Sequence, residues 1–159
     1  TGIFPEAKNE NGLATIMSHE VVHALARHGA ERMSQSLVAN IGVTVGSALL
    51  CLPPGSSDLA MGAVGVGILL PFSRSHESEA DYIGLLLAAE AGYDPRESIR
   101  LWQRMAQASK EVPPEFLSTH PSSKTRISNL LKWMPKAITI DKRAHKATVS
   151  KLPTIIPPH

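Results

Sequence analysis

Apolar residues return with helical spacing along most of this chain. Leu13, Ile16, Met17, Val21, Val22 and Leu25 form one stripe, and Arg27, His28, Glu31, Arg32 and Gln35 continue it as a polar face, so a helix is predicted through this region. A second helix is predicted from about Arg74, carrying the apolar run Tyr82-Ile83-Gly84-Leu85-Leu86-Leu87 and ending at Gly92, a residue suited to a C-terminal cap. Asp94-Pro95-Arg96-Glu97 then places an acidic cap, a proline in the first turn and a glutamate three on, which starts a helix running to about Ser109. Ile99, Trp102, Met105 and Ala106 are its expected buried stripe. After Pro113-Pro114, Ser122 or Ser123 can cap a last helix with Ile127, Leu130, Leu131 and Met134, which Pro135 is expected to close. No run alternates as a strand, and Gly2-Ile3-Phe4 is at most the end of a short edge strand. The fold class expected is mainly α.

Two stretches follow a different pattern. Leu37 to Leu52 and Leu59 to Phe72 are free of charge and rich in glycine, and Pro53-Pro54-Gly55-Ser56-Ser57-Asp58 separates them. Each is shorter than the roughly 20 apolar residues of a bilayer span, which favours a packed helical hairpin shielding an active site over a membrane-dipping one. Gly42 and Gly46 make a G-x-x-x-G that would serve close helix contact either in lipid or in a soluble core.

Composition changes this picture little: 159 residues, 43% hydrophobic and 19% charged, describe one globular core. The single cysteine, Cys51, excludes an intrachain disulfide and is expected to be a small buried hydrophobe. Residues 141–159 carry a net charge of +3, leaving the rest at −1. With Pro153, Pro157 and Pro158 they are expected to form an extended basic tail open to a loose anionic contact, and a nucleic-acid role is not expected without a basic face on the domain. The expected division is a domain at 1–140 and a tail at 141–159. A first residue of Thr rather than Met suggests a fragment of something longer.

Chemistry enters at His19-Glu20-Val21-Val22-His23. On a helix, histidines four apart share a face and can reach one metal ion, with Glu20 placed to act on water there. The same pair could also be two histidines satisfied by ordinary hydrogen bonds. A catalytic zinc wants a third protein ligand. Gly29 stands where a third histidine of the extended H-E-x-x-H-x-x-G-x-x-H pattern would be, so that class is excluded. The best remaining candidate is Glu77, in Ser75-His76-Glu77-Ser78-Glu79-Ala80-Asp81-Tyr82, where Glu77 and Asp81 share a helical face while Glu79 points away. On spacing alone these acids would serve equally well as a charged surface cluster near a helix start.

Together, H-E-V-V-H-A-L-A-R-H at 19–28, E-S-E-A-D at 77–81, and S-T-H-P followed by T-R-I at 118–127 resemble the peptidase family that includes HtpX, the CAAX prenyl protease and BepA. The runs at 80–89 and 102–105 resemble most its mitochondrial inner-membrane metalloendopeptidase branch. The resemblance spans residues 1 to about 140. It implies a gluzincin-type helical domain missing an upstream strand that pairs with substrate, one Zn2+ per chain on His19, His23 and Glu77, Glu20 as general base, and Asp81 behind the ligands. It also implies extended protein substrates and membrane association of the intact protein, and is compatible with a homo-oligomer. His120, in Leu117-Ser118-Thr119-His120-Pro121, is a capping loop residue, an oxyanion donor or, by the resemblance to BepA, a mobile fourth ligand, and Arg126 is a second candidate for sharing oxyanion charge. His28, His76, His145 and His159 lack a partner with ligand spacing and are expected to be structural. Two other functions remain open: a soluble periplasmic protease or chaperone of the BepA kind, and a catalytically silent metal-binding scaffold.

Overall fold

A computed structural model describes residues 4–53, 55–108 and 124–152. The helices are α1 (Phe4–Ala7), α2 (Glu10–Leu25), α3 (His28–Leu49), α4 (Ser56–Val64), a π-helical turn (Gly65–Leu69), α5 (Leu70–Glu90), α6 (Glu97–Ala108) and α7 (Lys124–Asp141). No strand forms among the described residues, only an isolated bridge between Asn9 and Lys151. Phe4 opens a helix rather than ending a strand, and Gly2 and Ile3 lie outside the described residues. The chain divides into two compact units, residues 1–22 with 78–159, and residues 23–77.

The first unit holds the apolar core. Ala7, Ile16, Leu85, Ala89, Leu101, Trp102, Met105, Leu130, Met134 and Ala137 are buried together, so α1, α2, α5, α6 and α7 all contribute. The buried arc of α2 differs from the apolar stripe: Ile16 and Val22 face inward, but Met17 and Val21 are exposed, and Ser18 and His19 are buried beside Ile16. Buried polar groups of this kind are kept by specific partners rather than by apolar contact. Gly84 lets α5 come close to α2, since a Cβ there would lie 3.0 Å from the backbone nitrogen of His19. Arg104 of α6 donates to the Glu6 carbonyl at 2.7 Å and to the buried carboxylate of Glu97 at 2.8 Å, tying α1 to α6.

α6 starts as its sequence requires. Asp94 accepts from the Arg96 backbone N–H at 3.0 Å and from the Arg96 guanidinium at 2.8 Å. Partial burial works against the Asp94 charge, but these two hydrogen bonds and the Arg96 and Arg100 charges outweigh it, so its carboxyl sits below its ordinary value. A folded-state value below the unfolded one means stabilisation that is complete above the usual carboxylate range near pH 4 and lost as pH falls through the lowered value. Asp94→Asn is therefore expected to lower stability at neutral pH and to flatten its loss in acid, as read from urea midpoints across pH.

α7 does not stop at Pro135 but runs on to Asp141. Pro135 lies on the exposed face, where the carbonyl that loses its N–H partner can turn to water, while Leu130, Met134 and Ala137 hold the opposite face in the core. Beyond α7 the chain is extended to residue 152 and returns over the first unit. Ala147 N–H donates to the Gly92 carbonyl at 3.2 Å, at a glycine whose φ of 85° needs the absence of a side chain. The Ser150 hydroxyl and N–H donate to the Glu10 carboxylate at 2.6 and 2.9 Å and hold its pKa below the ordinary value. The capping serines Ser122 and Ser123 lie outside the described residues.

In the second unit, the helix predicted to continue past Leu25 breaks instead. Arg27 takes a left-handed conformation, with φ 56°, and α3 begins anew at His28. α3 and α4 pack on each other as a hairpin, yet no described residue from Gly29 to Ser75 is buried. The expectation of a packed shielding hairpin is thus corrected: its large apolar side chains are left open. Nor does the glycine pair provide close contact, because a Cβ added at Gly42 or Gly46 would meet nothing within 4 Å. Cys51, expected inside, is exposed at the end of α3, where the chain leaves the helix with φ 50°.

Candidate metal centre

α2 runs without a break through His19 and His23, so the helical repeat alone sets the two imidazoles one turn apart on one face. α5 does the same for Glu77 and Asp81. All four side chains are buried. The H-E-x-x-H pattern, rather than hydrophobicity, therefore decides which face of α2 turns inward.

Within the first unit, His19 Nδ1 lies 3.2 Å from Asp81 Oδ1. A carboxylate only accepts, which favours the tautomer with the proton on Nδ1 and the lone pair on Nε2. Asp81 is itself gripped by Arg126, whose Nε and Nη2 donate to its two oxygens at 2.7 and 2.5 Å. The Arg126 guanidinium lies 3.7 Å over the ring of Trp102, and Trp102 meets His19 edge-on at 6.4 Å. Trp102 is core, as its stripe predicts, and also the floor beneath this buried ion pair.

Within the second unit, His23 Nε2 lies 3.3 Å from Glu77 Oε1. Two ligand atoms each about 2.0–2.1 Å from an ion at a tetrahedral angle are about 3.3–3.4 Å apart, so this spacing is the one a shared zinc ion requires. On its other side His23 Nδ1 is 2.9 Å from Nδ1 of His28, which stacks on His76 at 4.3 Å and 9° between planes. His76 Nε2 lies 3.1 Å from the Glu31 carboxylate. Neither His28 nor His76 stood out in the sequence. Five residues apart on a straight helix, His23 and His28 would face about 140° apart. The left-handed turn at Arg27 brings His28 back, and only the H-x-x-x-x-H spacing around a break could have signalled it.

Among the described residues, the group of His, Cys, Asp or Glu side chains that could hold a metal ion is His19, His23 and Glu77. Two imidazoles and a carboxylate form a donor set typical of catalytic zinc, which keeps a fourth position open. Glu20 is half-buried on α2, next to His19. His120 lies outside the described residues. Glu79 is exposed on α5, while His145 is exposed beyond α7.

The chain matches the peptidase family M48 model over residues 1–134. It is 43% identical over 138 residues to the mitochondrial metalloendopeptidase OMA1 of Schizosaccharomyces pombe, an alignment covering 86% of this chain and 40% of that protein. It is 40% identical over 143 residues to the protein of the same name in Saccharomyces cerevisiae, with the same two coverages. A beta-barrel assembly-enhancing protease of Yersinia pestis is 31% identical over 140 residues, covering 81% of this chain and 28% of that protein. The chain thus spans well under half the length of these relatives. No solved structure matches it significantly.

Proposed function

Because the chain belongs to peptidase family M48, we propose that it is the catalytic part of a zinc metalloendopeptidase of the mitochondrial inner membrane that cuts extended protein segments. The observation that carries this reading is the pairing of His23 with Glu77 at ligand spacing, on helices that also bear His19 and its carboxylate partner Asp81. The two mitochondrial relatives are more similar to this chain than the bacterial protease is, which supports the mitochondrial reading over a periplasmic one.

His19 Nε2, His23 Nε2 and a Glu77 oxygen would hold the ion. Zinc, when bound, supplies Lewis acidity to the scissile carbonyl and brings the pKa of water toward 7. Glu20 takes the proton from the attacking water and delivers it to the departing amine, which is general base and then general acid work by one carboxylate. Asp81 and Arg126 fix the orientation of His19; with Arg126 committed to Asp81 and Trp102, its role is positioning rather than contact with the oxyanion. His28 performs the same service for His23: with Nε2 facing the ion, the His23 Nδ1–H donates to His28 Nδ1. His28→Phe, which keeps a ring against His76, is expected to weaken zinc binding about 10–100-fold by chelator competition. In the full-length protein, cleavage of a protein substrate should stop with a zinc chelator and return with added zinc. Cleavage indifferent to chelation would refute the reading.

A further inference from the structure

Four polar side chains of the second unit form a line that hydrophobic packing does not account for: His23, His28, His76 and Glu31. The three imidazoles are buried, and the carboxylate is on a side chain 48% exposed. Taking a polar ring out of water costs free energy unless its nitrogens are matched. A phenyl ring would fill the same space without that cost. What an imidazole adds is direction, because its donor and its lone pair lie in the ring plane.

The line begins at the metal set. With Nε2 of His23 toward the ion, its Nδ1–H donates to Nδ1 of His28 at 2.9 Å, so the His28 lone pair has to point one way. The torsion that turns a histidine ring is broad, and packing must select its value. Here the stack selects it: His28 and His76 lie face to face, with centroids 4.3 Å apart and planes 9° from parallel. His76 is held in its turn, since its Nε2 lies 3.1 Å from Oε2 of Glu31. The other Glu31 oxygen accepts from Nε2 of Gln35 at 3.0 Å, which steadies the carboxylate from the next turn of α3.

The backbone brings these groups together. Left-handed Arg27 restarts the helix, and His28 and Glu31, three apart on α3, then share a face. Both meet His76 of α5, one with its ring and the other with its carboxylate.

We propose that His76 and Glu31 are positioning residues for the metal ligand His23, acting through His28: the carboxylate sets the plane of His76, that ring sets the plane of His28, and His28 keeps Nε2 of His23 toward the ion. This rests on the zinc site of the proposed function and extends it to the half-exposed start of α3.

The test is the zinc affinity of the whole chain by chelator competition, with the visible spectrum of the cobalt-substituted chain reporting ligand geometry. Glu31→Ala suits it, because the position is half exposed and alanine favours helix, so α3 should persist. It is expected to weaken zinc binding about 10-fold, the low end for groups behind a ligand, and to shift the cobalt bands. Glu31→Gln keeps an oxygen for His76 and an amide that Gln35 can accept, so affinity and spectrum should stay within about 2-fold of the parent. His76→Leu should cost at least as much as Glu31→Ala. The combination with His28→Phe separates positioning from general support: there Glu31→Ala should cost less than about 2-fold further, since the lone pair it positions is gone. Three results would overturn the proposal: unchanged affinity in Glu31→Ala; an equal cost with and without His28, which would route the effect through the backbone of neighbouring Glu77; or Glu31→Gln as weak as Glu31→Ala, which would assign the effect to charge rather than orientation. A parent chain that binds no zinc would refute the metal site itself, and this inference with it.

Discussion

Glu20→Gln is expected to retain a full equivalent of zinc and to lose at least about 100-fold in turnover. Gln matches Glu in size and helix propensity, so α2 and its two histidines should be undisturbed. What the amide lacks is a basic oxygen: it cannot take the proton of the attacking water, nor deliver one to the leaving amine. The loss should appear in kcat more than in KM, because the missing proton transfer belongs to the transition state rather than to substrate binding. Single-turnover cleavage by the full-length protein, with zinc content measured on the same sample, checks both halves. Near-normal cleavage would remove Glu20 from the mechanism, and lost zinc would instead make it a structural support of α2.

Asp81→Ala should be the most damaging single change to the fold, at about 3–5 kcal/mol. The Asp81 and Arg126 side chains are each under a tenth exposed, and Arg126 donates to this carboxylate from two of its three nitrogens. Removing Asp81 takes from the guanidinium buried over Trp102 the carboxylate that it grips with two hydrogen bonds, and from His19 Nδ1 the group that orients it. Zinc affinity should fall with stability, by about 10–100-fold. Combining it with Arg126→Met should recover part of the stability but none of the affinity, since the stranded charge is gone while His19 remains unguided. Urea midpoints of the two single variants and the double variant, with chelator competition, separate these effects. Stability unchanged in Asp81→Ala would show that the pair carries little.

The parts of the molecule legible in sequence were those set by local chemistry. Asp94, Pro95 and Gly92 mark helix ends because they act through their own backbone, and the structure has those ends where they fall. Four-residue spacing put His19 and His23 on one helical face and Glu77 and Asp81 on another, but which carboxylate meets which histidine depends on how the helices pack, and that pairing came from the structure. Three features depended on more distant balances. The break at Arg27 is a left-handed residue with no glycine to announce it, stabilised in a setting where His28 meets His23. α7 outlasts Pro135 because core contacts at Met134 and Ala137 outweigh one lost hydrogen bond on the exposed side. The glycine-rich hairpin and Cys51 were read as interior because apolar residues are expected to be buried by protein, and the exposed side chains of this hairpin depart from that expectation.

The account rests on one ion shared by His19, His23 and Glu77, and zinc content is its most direct measure. Elemental analysis of the purified chain, after dialysis against zinc and then zinc-free buffer, should give one equivalent for the natural sequence and a small fraction of that for His23→Ala and for Glu77→Ala, with X-ray absorption showing two imidazoles and a carboxylate oxygen. A natural chain without stoichiometric zinc, or a Glu77→Ala variant that binds it as well as the parent, would contradict the account.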